Sequence, residues 1–149
     1  MDVRTIPRSR QNPQFNRETL PAELAKAGIE YEHKKELGGL RHPVKNSINL
    51  GWRNENFKGY ADYMQTPEFG DAIEWLIERA SATRVAIMCA EAVPWRCHRS
   101  LIADALTARG NIVEHIMTQS RRDPHTLTSF AVIEGTAVHY PKDSQRTLF

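Results

Sequence analysis

The stretch VAIMCAEAVPWRCHRSLIADAL, from Val85 to Leu106, reads as a buried strand, a short loop and the start of a helix. Val85, Ala86, Ile87 and Met88 form an apolar run short enough for an interior strand of a parallel sheet. Pro94 keeps Val93 out of the helical region. The helix is expected to begin near Cys97, to bury Leu101, Ile102, Ala105 and Leu106, and to close at Gly110. Cys89 then sits at the carboxyl end of the strand, where open α/β sheets bind ligands. Glu91, Arg96, Cys97, His98 and Arg99 crowd beside it.

Working outward, Asp2–Ile6 reads as a strand and Pro7–Phe15 as a cationic loop. A helix from an N-cap at Asn16 to about Ala27 is closed by Gly28, with its start set nearer Leu20 by Pro21. Ile29–His33 is a further strand. The irregular segment 38–56 carries Arg41, His42 and Lys45, which could close over a site. Helices follow over Phe57–Met64 and Glu68–Ala80, the second with Phe69, Ile73, Leu76 and Ile77 along its core face. Asn111–Met117 reads as a strand and Ser129–Tyr140 as a hairpin turning at Glu134-Gly135. This alternation predicts an α/β fold, with a mainly parallel sheet flanked by helices on both faces and a C-terminal β-hairpin and tail. Residues 1–141 form a single domain and 142–149 the tail.

Four readings of the central loop compete. Free N–H groups at a helix start, with Arg96 and Arg99, favour an anion, and the same field would make a thiol at Cys97 more nucleophilic. Cys89, Cys97 and His98 could instead hold a metal, although adjacent Cys-His is not a standard zinc spacing. The two cysteines could form a redox pair. In the plainest reading Cys89 is a small core residue. On the anion reading Glu91 is the acid or base and Cys89 the nucleophile or a substrate contact, with His33 assisting. Asp2 and Arg4 share one face of the first strand. With Arg8, Arg10, Glu36, Arg96, His98 and Arg99 they make up the substrate-binding set.

The pattern Cys89-x-Glu91, short loop, Cys97-His98-Arg99 and a Leu-Ile-Ala helix resembles the bacterial and archaeal family named for a domain of unknown function, number 488. Asp2-Val3-Arg4, Pro7-Arg8-Ser9-Arg10, Asn12-Pro13, Phe15-Asn16, Tyr31-x-His33 and Glu36-Leu37-Gly38-Gly39 agree in order. The resemblance implies an α/β domain whose shared polar residues gather at one site, and it implies no activity. It also implies an earlier strand with Gly-His-Ser and a following helix, whereas this sequence opens at Met1-Asp2-Val3-Arg4.

Of 149 residues, 40% are hydrophobic and 26% charged, which is ordinary for one domain with a core. The net charge of +2 says little about partners. No apolar run approaches membrane-spanning length. Two cysteines without a signal peptide point to a reducing cytoplasm.

The last residues, Gln145-Arg146-Thr147-Leu148-Phe149, resemble the peptide by which bacterial polymerases and repair proteins dock on the sliding clamp. Alternatively Leu148 and Phe149 fold back onto the domain. These features together predict an enzyme acting on nucleic acid or a nucleotide, in DNA repair or base processing. The alternative is a non-catalytic metal-binding or redox-sensing protein built on Cys89, Cys97 and His98.

Overall fold

A computed structural model describes residues 1–142; Gln145, Leu148 and Phe149, the residues of the clamp-docking motif, lie outside the described residues. Four helices form: α1 (Leu20–Lys26), α2 (Glu55–Tyr63), α3 (Pro67–Ala82) and α4 (Arg99–Ala108). Their ends follow local chemistry. Asn54 accepts from the amides of Asn56 and Phe57 at the start of α2, and Thr66 accepts from Phe69 N at the start of α3, where Pro67 needs no partner. Gly28 (φ 70°) and Gly110 (φ 79°) follow α1 and α4 in the left-handed region, as expected of closing glycines. Asn16 is not a helix cap. Its side chain accepts instead from Ser9 N at 2.6 Å, which folds the basic loop back on itself.

Four short strands follow: β1 (Glu114–Ile116) pairs antiparallel with β2 (Arg122–Pro124), and β3 (Val132–Glu134) with β4 (Ala137–His139). The second pair is the expected hairpin, turning between Glu134 and Ala137. The expected mainly parallel sheet is not formed. Among the described residues, both sheets are antiparallel pairs, and parallel pairing is limited to two bridges, Asp2 with His33 and Asp2 with Met88. Parallel strands persist where both faces are covered. Here Ile6 and Ile29 stay more than half exposed, and Pro7 removes a ladder donor at once. The three segments still lie side by side: Asp2 N donates to Glu32 O at 2.7 Å and Val3 N to Met88 O at 3.0 Å. That contact carries Cys89, one residue beyond Met88, to the level of Val3.

The core is built from Val3, Leu37, Tyr60, Phe69, Ile73, Leu101, Ile102 and Tyr140, all nearly or fully buried. Phe69, Ile73 and Leu76 give α3 its inner face, and Leu101, Ile102 and Ala105 do so for α4. The irregular segment 38–56 is tied down rather than loose. The Asp62 carboxylate accepts from Val44 N, the Ser47 hydroxyl and Asn49 Nδ2, while Asn49 Oδ1 accepts from Tyr140 N at 2.9 Å. Arg41 lies over the Tyr63 ring and donates to Gly38 O, whereas His42 and Lys45 are exposed.

Candidate functional site

Pro94–Arg96 forms one 3-10 turn, so Cys97 remains extended and α4 starts two residues later than its sequence suggests, at Arg99. This turn folds the Cys97 and His98 side chains against the end of the Val85–Cys89 segment. Cys89 Sγ, Cys97 Sγ and His98 Nδ1 all lie within 4.8 Å of one another. His98 Nδ1 stands 3.7 Å from the Cys97 sulfur and 3.9 Å from that of Cys89.

The orientation of His98 comes from its other nitrogen. Nε2 lies 3.1 Å from Val3 O, and a carbonyl only accepts, so Nε2 carries a proton. In a neutral ring Nδ1 is then bare and faces the sulfurs. The ring packs against Tyr60 at 4.9 Å between centroids. The Gly39 main chain presses so close that an added Cβ would stand 2.5 Å from Nδ1.

Donors converge on Cys97. Arg99 N reaches its sulfur at 3.5 Å and Arg99 Nε at 3.2 Å, and the other arm of that guanidinium holds the Glu91 carbonyl. A hydrogen bond from the Cys89 thiol, opposed by burial and helped by the Arg99 amide, lowers the Cys97 pKa. The same hydrogen bond, with burial, pushes the Cys89 thiol up. The pair therefore holds one proton between two sulfurs. Cys97 is buried and Cys89 half-buried, so access is from the Cys89 side.

The donor set fits a thiophilic cation. Bond lengths of about 2.3 Å to sulfur and about 2.0–2.1 Å to nitrogen place tetrahedral S and N ligands roughly 3.6 Å apart. The sulfur–nitrogen separations of 3.7 and 3.9 Å are close to that. A carbonyl on the far nitrogen of the imidazole and N–H donors on a thiolate are the outer contacts such ligands need.

The remaining predicted residues are dispersed. Asp2 and Arg4 are buried against each other, with a 2.6 Å ion pair, and Tyr31 donates to Asp2 at 2.7 Å. Burial pushes the Asp2 carboxyl up, but hydrogen bonds from the Arg4 side chain, Tyr31 and the Arg4 amide outweigh it and hold the pKa below the usual value. His33 Nε2 donates to Arg4 O at 2.7 Å, and Glu36 pairs with Lys34 at 3.7 Å. Arg8 is exposed and pairs with Glu18. Glu91, Arg10 and Arg96 are exposed, and no side-chain ion pair to them forms among the described residues. The site that forms is therefore Cys89, Cys97, His98 and Arg99, oriented by the main chains of Val3 and Glu91. Those two main-chain partners are invisible to a reading of side chains.

A small mixed helix–strand protein with a thiol–imidazole cluster is the class that this fold and site define. The chain belongs to the family described as Domain of unknown function DUF488, whose model matches residues 1–106. The match includes the whole cluster and most of α4, and stops before β1. No curated protein and no solved structure matches the chain. No helix among the described residues is long and apolar enough to cross a membrane.

Proposed function

We propose that Cys89, Cys97 and His98 bind a thiophilic divalent cation, zinc by preference, and that the metal-loaded protein is a hydrolase acting on a nucleotide or nucleic acid. The observation that carries the reading is the sulfur–nitrogen geometry, 3.7 and 3.9 Å around one His98 nitrogen whose partner nitrogen is already engaged. Three protein ligands leave a fourth position for water or substrate, the arrangement of catalytic rather than structural zinc. Glu91, two residues from Cys89 and exposed, supplies an acid or base, and exposed Arg10 and Arg96 supply cationic surface for an anionic substrate. The terminal Gln145, Leu148 and Phe149 would bring the protein to DNA through the sliding clamp.

The test is elemental analysis of protein prepared without chelator and then dialysed against zinc. The expected result is one zinc per chain, lost in Cys89→Ser and in His98→Ala while circular dichroism stays unchanged. Cobalt in place of zinc gives a thiolate charge-transfer band. Absence of both stoichiometric metal and that band overturns the metal reading. Hydrolysis of a nucleotide panel by the zinc-loaded protein, abolished by Glu91→Gln, tests the second half.

One contact favours a second reading. The Arg99 guanidinium on the Cys97 sulfur is a cation already in place, which suits a metal-free dithiol. Such a dithiol would close to a disulfide by reducing an external disulfide to two thiols. Metal-free protein that consumes one equivalent of oxidised dithiothreitol would support this reading.

A further inference from the structure

A second polar cluster lies along the other side of α4. Asp104 is fully buried, and its carboxylate accepts from Thr128 N at 3.0 Å, Tyr140 Oη at 2.8 Å and His125 Nε2 at 2.8 Å. His125 Nδ1 in turn lies 2.9 Å from His115 Nε2. The proton positions follow from the partners. A carboxylate accepts, so His125 Nε2 is protonated; a His125 ring with that one proton accepts at Nδ1, so His115 Nε2 donates. His115 Nδ1 is left as a bare acceptor with no hydrogen bond to any described residue. Burial is the largest influence on the His115 pKa and lowers it, so the ring is neutral near pH 7.

His115 and His125 form part of the wall of an open cleft of about 390 Å³, together with Trp52, Trp95, Ser100 and Asp123. That volume is in the range of small-molecule sites. Trp95 is 66% exposed, an unusual position for so large an apolar ring, and Trp52 Nε1 is the one buried side-chain donor without a partner among the described residues. The cleft thus offers the exposed Trp95 ring and one unused acceptor, with the Trp52 indole lining it from below its surface. No lysine or arginine is among its lining residues, and Asp123 is. Two of the three relay residues come from beyond the family match, which ends at residue 106.

We infer that this cleft binds a neutral planar heteroaromatic molecule of nucleoside size, stacked on Trp95 and donating an exchangeable N–H to His115 Nδ1. His125 and Asp104 are positioning residues that fix the His115 tautomer. The inference does not rest on the cysteine centre: a chain that takes up no zinc yet binds a nucleoside would overturn the metal reading and leave this one standing.

Adenosine is the probe, titrated into the whole protein and followed by tryptophan fluorescence and by 15N spectra of the histidine rings. The expected result is saturable binding with a Kd below about 1 mM. Trp95→Ala should weaken it about tenfold or more, in line with the loss of one base–aromatic stack. Adenosine monophosphate should bind no tighter than adenosine, because no lysine or arginine is among the residues that line the cleft. His115 in the unmodified protein should show a protonated Nε2 and a bare Nδ1, with the Nδ1 signal moving on adenosine addition. Any of three results overturns the inference: no saturable response to adenosine or cytidine, a protonated Nδ1 on free His115, or a monophosphate preferred by tenfold or more. The tautomer measurement needs no substitution, so an unfolded variant cannot obscure it.

Discussion

The Arg99 guanidinium donates through Nε to the Cys97 sulfur over 3.2 Å while its other arm holds the Glu91 carbonyl. One side chain thus ties the sulfur to the loop that precedes it. Arg99→Met keeps the length of the stem and removes both contacts. Loss of an outer-shell partner costs roughly 10–100-fold in metal affinity. Competition titration with a zinc indicator should show that weakening with the stoichiometry unchanged. Unaltered affinity would mean that the guanidinium has no part in holding the site.

Gly39 leaves no room for a side chain, since an added Cβ would meet His98 Nδ1 at 2.5 Å and two ring carbons at 2.9 Å. His98 cannot retreat without leaving Val3 O. Gly39→Ala should therefore cost about 1–3 kcal/mol, the usual penalty for forcing atoms into a filled space, and should weaken zinc binding as well. Gly70, inside α3 with nothing within 4 Å of its added Cβ, is the matched control. Gly70→Ala should gain about 0.5–1 kcal/mol from helix preference alone. Urea unfolding of the two variants separates packing at the site from the general effect of a methyl group.

The buried Asp2–Arg4 pair sets an acid limit. The folded-state pKa of Asp2 is depressed, so its contribution is present above the unfolded value of about 4 and is lost as pH falls through the folded value. Asp2→Asn leaves the Arg4 guanidinium buried without its counter-charge, at a cost of about 3–5 kcal/mol near pH 7. Unfolding followed from pH 7 to pH 2 should show wild type and Asp2→Asn converging at the acid end. A constant gap across that range would show that the charge of Asp2 is not what stabilises the fold.

For the C-terminal motif, the expected outcome is micromolar-range binding to a bacterial sliding clamp, the order usual for short peptides, abolished in Leu148→Ala/Phe149→Ala. Surface plasmon resonance with immobilised clamp measures it. No binding by the intact chain would remove the argument from DNA recruitment.

The helices were legible in the sequence because their signals are local. The closing glycines Gly28 and Gly110 act within a few residues and the apolar spacing of α3 needs no partner to be read, whereas the N-cap expected at Asn16 was wrong and the caps at Asn54 and Thr66 went unread. The parallel sheet was overread because alternating strand and helix patterns report the propensity of each run. They do not report whether both faces are covered, and Ile6 and Ile29 stayed exposed. In the site, Cys97 and His98 stood out as neighbours of Cys89, but Asp2 and Arg4 looked equally available to a ligand. Only the pairing of Asp2 with its own neighbour two residues on, and with Tyr31, removes them from solvent. β2 and the His115–His125 contact had no local signal, since a charged Arg-Arg-Asp-Pro stretch gains its strand character from β1 alone.

The hydrogen bond that fixes the far nitrogen of His98 goes to the carbonyl of Val3, not to a side chain. The tautomer of the ring is thus encoded in the path of the chain, and position 3 could hold Ala, Ile or Leu without changing which nitrogen faces the sulfurs. No compensating pair of substitutions need mark this dependence among related sequences. What would disturb it is a register slip of the first segment between His33 and Met88, because one residue of slip would bring a different carbonyl, pointing the other way, to the imidazole.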